Sequence, residues 1–239
     1  MNKFLSISLA VMIILCSAVF SGCTNNNEPS PTAAATEPQT EAVKYSSSEL
    51  KDYLGSFTTG KSPVYGTWKI DGIKAVSYIF RNDGYAQMVM GTEADFTKFE
   101  LDEKNKTLGA AFILGINGTY SYTISSDNKT LTLTSDDSKY VLKKQADYNL
   151  LPKAKKNPKL DKDLFGWWKS SGKQIYFFGS DGIMYSNTIS METCYTYNAE
   201  NGKIRAIYDY AGDVKIDLTY SVKNDKLTLE GNKFKRFEP

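Results

Sequence analysis

The chain has 239 residues and is close to neutral, with 29 Lys and Arg against 27 Asp and Glu. That balance argues against a nucleic-acid binder, which carries a concentrated basic face. There is no His, which removes the commonest general base and the commonest metal ligand.

The N-terminus is an address. Met1-Asn2-Lys3 is a short positive region, Phe4 to Phe20 is apolar, and Ser21-Gly22-Cys23 follows. An ordinary secretory peptide or a spanning anchor would share the apolar run, but the run is short for a span of about 20 residues. Small residues before a Cys resemble a bacterial lipoprotein signal. That resemblance implies cleavage before Cys23, a diacylglycerol on its thiol, and a lipid-anchored, extracytoplasmic protein at the cell membrane. Two acyl chains hold stably where one is marginal. With Cys16 removed and Cys23 modified, Cys194 stands alone and no intramolecular disulfide can form. Thr24 to Val43 is polar, bears Pro and lacks aromatics. It cannot bury enough apolar surface to order itself and is expected to be a disordered tether.

Ser46-Ser47-Ser48-Glu49 has the spacing of a capping box, which predicts a short helix over Glu49 to Leu54 ended by Gly55. Gly55-Ser56-Phe57-Thr58-Thr59-Gly60-Lys61-Ser62 matches the phosphate-loop pattern letter for letter. Its context is wrong, because the working motif follows a strand and opens a helix. Here a helix precedes it and Pro63 leads into a strand.

From Tyr65 to Lys144 the apolar period is two, the mark of half-buried strands. Val76, Tyr78 and Phe80 share a face, as do Leu108, Ala110, Phe112 and Leu114, then Tyr120, Tyr122 and Ile124, then Leu131 and Leu133, then Tyr140 and Leu142. Turn chemistry such as Asn82-Asp83-Gly84 and Ser125-Ser126-Asp127-Asn128 separates them. About eight short strands of near five residues follow. Gln145 to Asp163 breaks the pattern with Pro152, Pro158 and five Lys. It reads as a solvated linker, or else as a contact for anionic headgroups or teichoic-type polymers.

Leu164 to Phe237 repeats the scheme. Gly166-Trp167-Trp168-Lys169 answers Gly66-Thr67-Trp68-Lys69, and Tyr176 and Phe178 stand 98 residues after Tyr78 and Phe80. Ile204, Ala206, Tyr208 and Tyr210 share a face, and Tyr220 to Leu229 answers Tyr122 to Leu133. The period is too long for a solenoid, whose repeats run about 20–50 residues. The Gly-aromatic-Lys opening, the Asp-Gly hairpin and the closing Lys-Leu-Thr-Leu strand resemble small lipocalin-like domains found in tandem on bacterial lipoproteins. The resemblance implies up-and-down barrels and binding rather than catalysis. The expected fold is all-β, with two tandem antiparallel meander barrels of about eight strands each. The boundaries are 1–22 signal peptide, 23–45 lipidated Cys23 and linker, 46–64 helix and lead-in, 65–144 first β-domain, 145–163 Lys/Pro linker, and 164–239 second β-domain. Each copy should enclose its own aromatic interior.

No catalytic, cofactor or metal residues are expected. Asp83, Asp181, Asp136 and Asp137 sit in turns, Cys194 has no His partner, and the acidic turns lack a full calcium-loop ligand run. Trp68 and Trp168 either line a pocket mouth or plug the barrel bases. An eight-stranded barrel can be filled by side chains or hold one small ligand. The expected function is a non-catalytic binding or interaction module at the cell surface. Its partners are the membrane, through Cys23, and an unknown small molecule or envelope component, without nucleic acid. The alternatives are a carrier of a small apolar ligand in one barrel, or an enzyme acting on envelope polymers.

Overall fold

The computed structural model describes residues 45–239, except 74, 113–114, 147–149, 189 and 210–211. The signal peptide, Cys16, Cys23, the tether to residue 44, Leu114 and Tyr210 therefore lie outside the described residues. The fold is all-β with one helix, α1 (Ser47–Ser56). The first half contributes β1 (Gly66–Ile70), β2 (Val76–Phe80), β3 (Tyr85–Met90), β4 (Glu93–Asp102), β5 (Thr107–Ala111), β6 (Asn117–Ile124), β7 (Thr130–Thr134) and β8 (Lys139–Gln145). The second contributes β9 (Gly166–Ser170), β10 (Ile175–Phe178), β11 (Ile183–Asn187), β12 (Met191–Glu200), β13 (Lys203–Asp209), β14 (Asp213–Lys223), β15 (Lys226–Leu229) and β16 (Asn232–Arg236). Most strands are near the expected five residues. Strands β4, β12 and β14 reach 10, 10 and 11 residues, and this extra length matters below.

The first eight strands close into an antiparallel barrel. They pair in the order β4-β3-β2-β1-β8-β7-β6-β5, and β5 returns to β4. The other eight follow the order β11-β10-β9-β16-β15-β14-β13-β12, and β11 also pairs with β12. Alternation sends one face of each strand inward, as the period of two requires. Trp68, Phe80, Phe99, Leu131 and Leu142 lie in one buried cluster. Trp168, Phe178, Tyr197, Leu227 and Phe234 lie in another.

The two halves are not independent sheets. One hydrogen-bonded ladder runs through all sixteen strands, joined where β12 pairs with β4. Only the C-terminal half of β4, Phe99 to Asp102, closes onto β5. Its N-terminal half is a spare edge, and the equivalent part of β12 is another. Unpaired edges seek partners, and these two meet. Ala94 faces Glu192, its own equivalent 98 residues on, while Glu93 faces Thr193 and Asp95 faces Met191. The flanking bonds obey the same exchange. The Phe96 N–H donates to the Ser190 carbonyl (3.0 Å) and the Cys194 N–H to the Thr92 carbonyl (2.9 Å). The junction therefore has a local twofold axis through the Ala94–Glu192 pair, as in a symmetric dimer of a single copy.

A third core lies outside both interiors. It gathers Ile79, Val89 and Ala94 from the first half, Trp167, Phe177, Ile183, Tyr185 and Cys194 from the second, and Leu50 and Leu54 from α1. The helix differs from expectation in two ways. It runs through Gly55 to Ser56, and the capping box does not form, since Ser46 makes no side-chain cap bond. Glu49 instead accepts the Trp167 indole N–H (2.7 Å), and Asp181 caps the helix from afar by accepting the Ser47 N–H (2.9 Å). The linker is likewise not simply solvated. Leu150 is fully buried, and Lys159 runs along β12, where its carbonyl accepts the Ala199 N–H (2.8 Å).

Candidate functional site

The interiors are occupied by packed rings. Phe80 stacks on Phe99 with centroids 5.0 Å apart, and Tyr78 meets Phe112 at 5.2 Å. In the second half Tyr176 meets Phe234 at 5.3 Å and Phe178 meets Tyr197 at 5.6 Å. Burial pushes the Tyr176 hydroxyl up to about 12, with smaller contributions from Tyr195 and Glu230. Trp68 and Trp168 are both core residues with no exposed surface. Their indole N–H groups donate to the Val64 and Leu164 carbonyls (2.7 and 2.6 Å), so each anchors the chain just before its own first strand.

The turn carboxylates are engaged structurally. Asp83 pairs with Arg81 (2.6 Å), and Asp181 caps α1. Asp136 and Asp137 are exposed. Among the described residues no group of three or more Cys, Asp or Glu could hold a metal ion. The phosphate-loop look-alike starts inside α1 and leads away from its C-terminal end, so no helix N-terminus faces Lys61. Among the described residues no helix is long and apolar enough to cross a membrane.

Cys194 is a free, buried thiol. Burial pushes it well above its ordinary range, and the neighbouring Glu192 adds to the rise. The folded chain thus favours the protonated thiol. That contribution to stability is present below the ordinary thiol value of about 8.5 and is lost as pH climbs through the folded value. Iodoacetamide at mildly alkaline pH is expected to spare Cys194 in the native protein and to alkylate it only on unfolding, as read by peptide mass. Rapid alkylation of Cys194 in the native protein would contradict this burial.

A groove of about 800 Å³ lies on the outer face of β9, β16, β15 and β14. Alternation on β15 and β16 points Leu227, Leu229 and Phe234 inward and leaves Lys226, Lys233 and Lys235 exposed. Lys169, Lys223 and Arg236 complete the basic lining, and no Asp or Glu lines the groove. Arg236 is committed to the scaffold. Its guanidinium lies 4.3 Å from the Trp168 ring centroid and donates to the Phe165 and Asp163 carbonyls and to Asp225. The ammonium of Lys169 sits 5.5 Å over the Phe237 ring. Among the described residues, the ammonium groups of Lys223, Lys226, Lys233 and Lys235 have no hydrogen bond or ion pair. A second cleft of about 720 Å³, bearing Gln174, Thr188 and Asn232, shares Ser170, Ser171 and Lys233 with the groove, so the two run together. Two other clefts are electrically mixed: one contains Lys159 with Glu200 and Arg205 with Asp217, each an ion pair, and the other Glu103 with Lys61 and Lys106.

Sequence reasoning placed its basic emphasis on the linker lysines and missed this groove. The available signal was the alternation Lys233-Phe234-Lys235 beside Lys223 and Lys226 across a tight turn. No protein-family model, curated protein or solved structure matches the chain.

Proposed function

We propose that this protein is a lipoprotein anchored outside the cytoplasm through Cys23. In this reading its halves are tandem lipocalin-like barrels, and it works as a non-catalytic binding or interaction module. The ligand is met on the outer surface rather than inside a barrel. The observation that carries the reading is the mutual packing of aromatic rings in both interiors, Phe80 on Phe99 and Phe178 on Tyr197 among them. A small-ligand site needs an apolar cavity of about 300 Å³ or more, and these rings take up the space where one would lie. The unneutralised basic groove adds a surface with ligand-binding character.

Mass spectrometry of the protein isolated from its own host tests both parts. The expected species begins at Cys23, carries a diacylglyceryl group and retains no small molecule under native conditions. A free Cys23 thiol on the mature chain would overturn the anchor. A stoichiometric apolar molecule released on unfolding would overturn outer-surface binding in favour of a carrier.

A further inference from the structure

We propose that the groove on β14, β15, β16 and β9 binds a linear polyol-phosphate polymer, a phosphodiester chain without nucleobases, laid across the strands. The inference rests on the outer-surface reading above and names the ligand class.

Register carries the argument. Lys223 faces Lys226, Lys226 faces Lys235, and Lys235 faces Lys169. Four lysines thus stand in one row over four consecutive strands. At a strand spacing of about 4.8 Å the row spans roughly 14 Å. Like charges directly opposite one another destabilise a sheet, so the row weakens the fold that displays it.

The other copy shows what the same positions hold with less of that burden. Lys69 faces Lys143, and Lys143 faces Thr130. Lys143 donates to the Thr130 hydroxyl (3.1 Å), and the Thr130 N–H donates to the Ser125 hydroxyl (2.9 Å). By strand register, Ser125, Thr130 and Val141 correspond to Lys223, Lys226 and Lys233. The first half's row holds two facing lysines and continues into hydrogen-bonded Thr130 and Ser125, whereas the second half's row is four lysines long.

The chemistry of the row selects the ligand. Lysines act as point charges that suit phosphate oxygens without the forked geometry of Arg. The adjoining cleft of Ser171, Gln174 and Asn232 offers hydroxyl and amide groups for the uncharged parts of a chain that extends past the row. The groove's rings, Phe234 and Phe237, are buried or half-buried, so there is no exposed platform on which nucleic-acid bases would stack. The lysines line a groove, which admits a single chain more readily than a flat bilayer.

The test measures binding of end-labelled poly(glycerol phosphate) to the full-length protein by fluorescence anisotropy across a salt series. Binding is expected and should weaken with salt. The double variant Lys223→Ser with Lys226→Thr installs the first copy's residues. It should bind about tenfold or more weakly, and its log–log salt slope should be shallower by about 1.5, from roughly 0.7–0.9 per lost phosphate contact. Its thermal midpoint should rise as the like-charge row is relieved, which separates lost binding from lost folding. A charge-matched control, Lys203→Ser with Lys215→Thr on β13 and β14, should keep its affinity. The proposal is overturned by no binding, by an equal loss in the control, or by a row variant that binds undiminished. It is also overturned if single-stranded DNA or phosphatidylglycerol vesicles bind as tightly as the polymer. An undiminished row variant removes this assignment alone, whereas a small molecule found inside a barrel removes the outer-surface reading.

Discussion

Replacing Glu192 with alanine is expected to destabilise the protein by about 3–5 kcal/mol, the range for breaking a buried ion pair from one side. Glu192 is fully buried at the twofold junction. Its Oε1 accepts from Arg81 (3.0 Å) and from the Tyr185 hydroxyl (2.9 Å), and its Oε2 accepts from Gln87 (2.6 Å). Arg81 is itself buried, is held by Asp83 on its other side, and lies 3.8 Å from the Phe57 ring centroid. Removing the carboxylate takes from Arg81 one of its two carboxylate partners and from the Tyr185 hydroxyl and the Gln87 amide the acceptor they share. For a domain of this size each kcal/mol moves the melting midpoint by about 2–4 °C, so a fall of roughly 10 °C should be seen by circular dichroism. The partner opposite Glu192 is Ala94. Two glutamates on the axis would repel, whereas one Glu beside one Ala leaves room for the guanidinium. The combined change Glu192→Leu with Arg81→Met should recover much of the loss, because an apolar replacement of a buried pair removes both charges from the interior. A Glu192→Ala variant within 1 kcal/mol of the parent would show that the network contributes little to the junction.

Trp168→Ala should be comparably damaging, at about 3–5 kcal/mol for a buried large aromatic. The side chain is fully buried, its indole N–H holds the Leu164 carbonyl, and Arg236 covers its ring. Truncation removes the floor under Arg236, which ties β16 back to the segment before β9 through Phe165 and Asp163. Trp168→Phe keeps most of the volume and loses the hydrogen bond, so its effect should be nearer 1 kcal/mol. The contrast distinguishes a core residue from a stacking platform. A platform would lose ligand binding with unchanged stability, whereas here the denaturant midpoint should fall and binding by the remaining folded protein should persist. Unchanged stability in Trp168→Ala would place the ring outside the core.

Much of this architecture is legible locally. The two-residue period of Val76, Tyr78 and Phe80 marks an inward face, and Asp-Gly at 83–84 and 181–182 marks hairpins. Gly84 and Gly182 both have the positive φ that such turns ask of glycine (84° and 79°). The paired Gly-x-Trp-Lys openings reveal the duplication and put Trp68 and Trp168 in matching places. Other features had no local signature. Trp167 and Trp168 are adjacent and chemically alike, but alternation sends Trp168 into the core of the second half and Trp167 into the core shared with α1. Glu49 has the spacing of a capping box but is drawn to Trp167, because a tertiary partner 118 residues away competes with the local one.

By itself the sequence determined the strand period, the turns, the duplication and the inward aromatic set, because each depends on neighbours within a few residues. Tertiary structure alone decided three things: the pairing of the spare edges of β4 and β12, the meeting of Arg81 with Glu192, and the alignment of Lys169 with Lys235, Lys226 and Lys223. The physical reason is closure. Joining β9 to β16 and β4 to β12 sets registers between segments far apart in the chain, and register decides which side chains share a row and which charges are left without a partner.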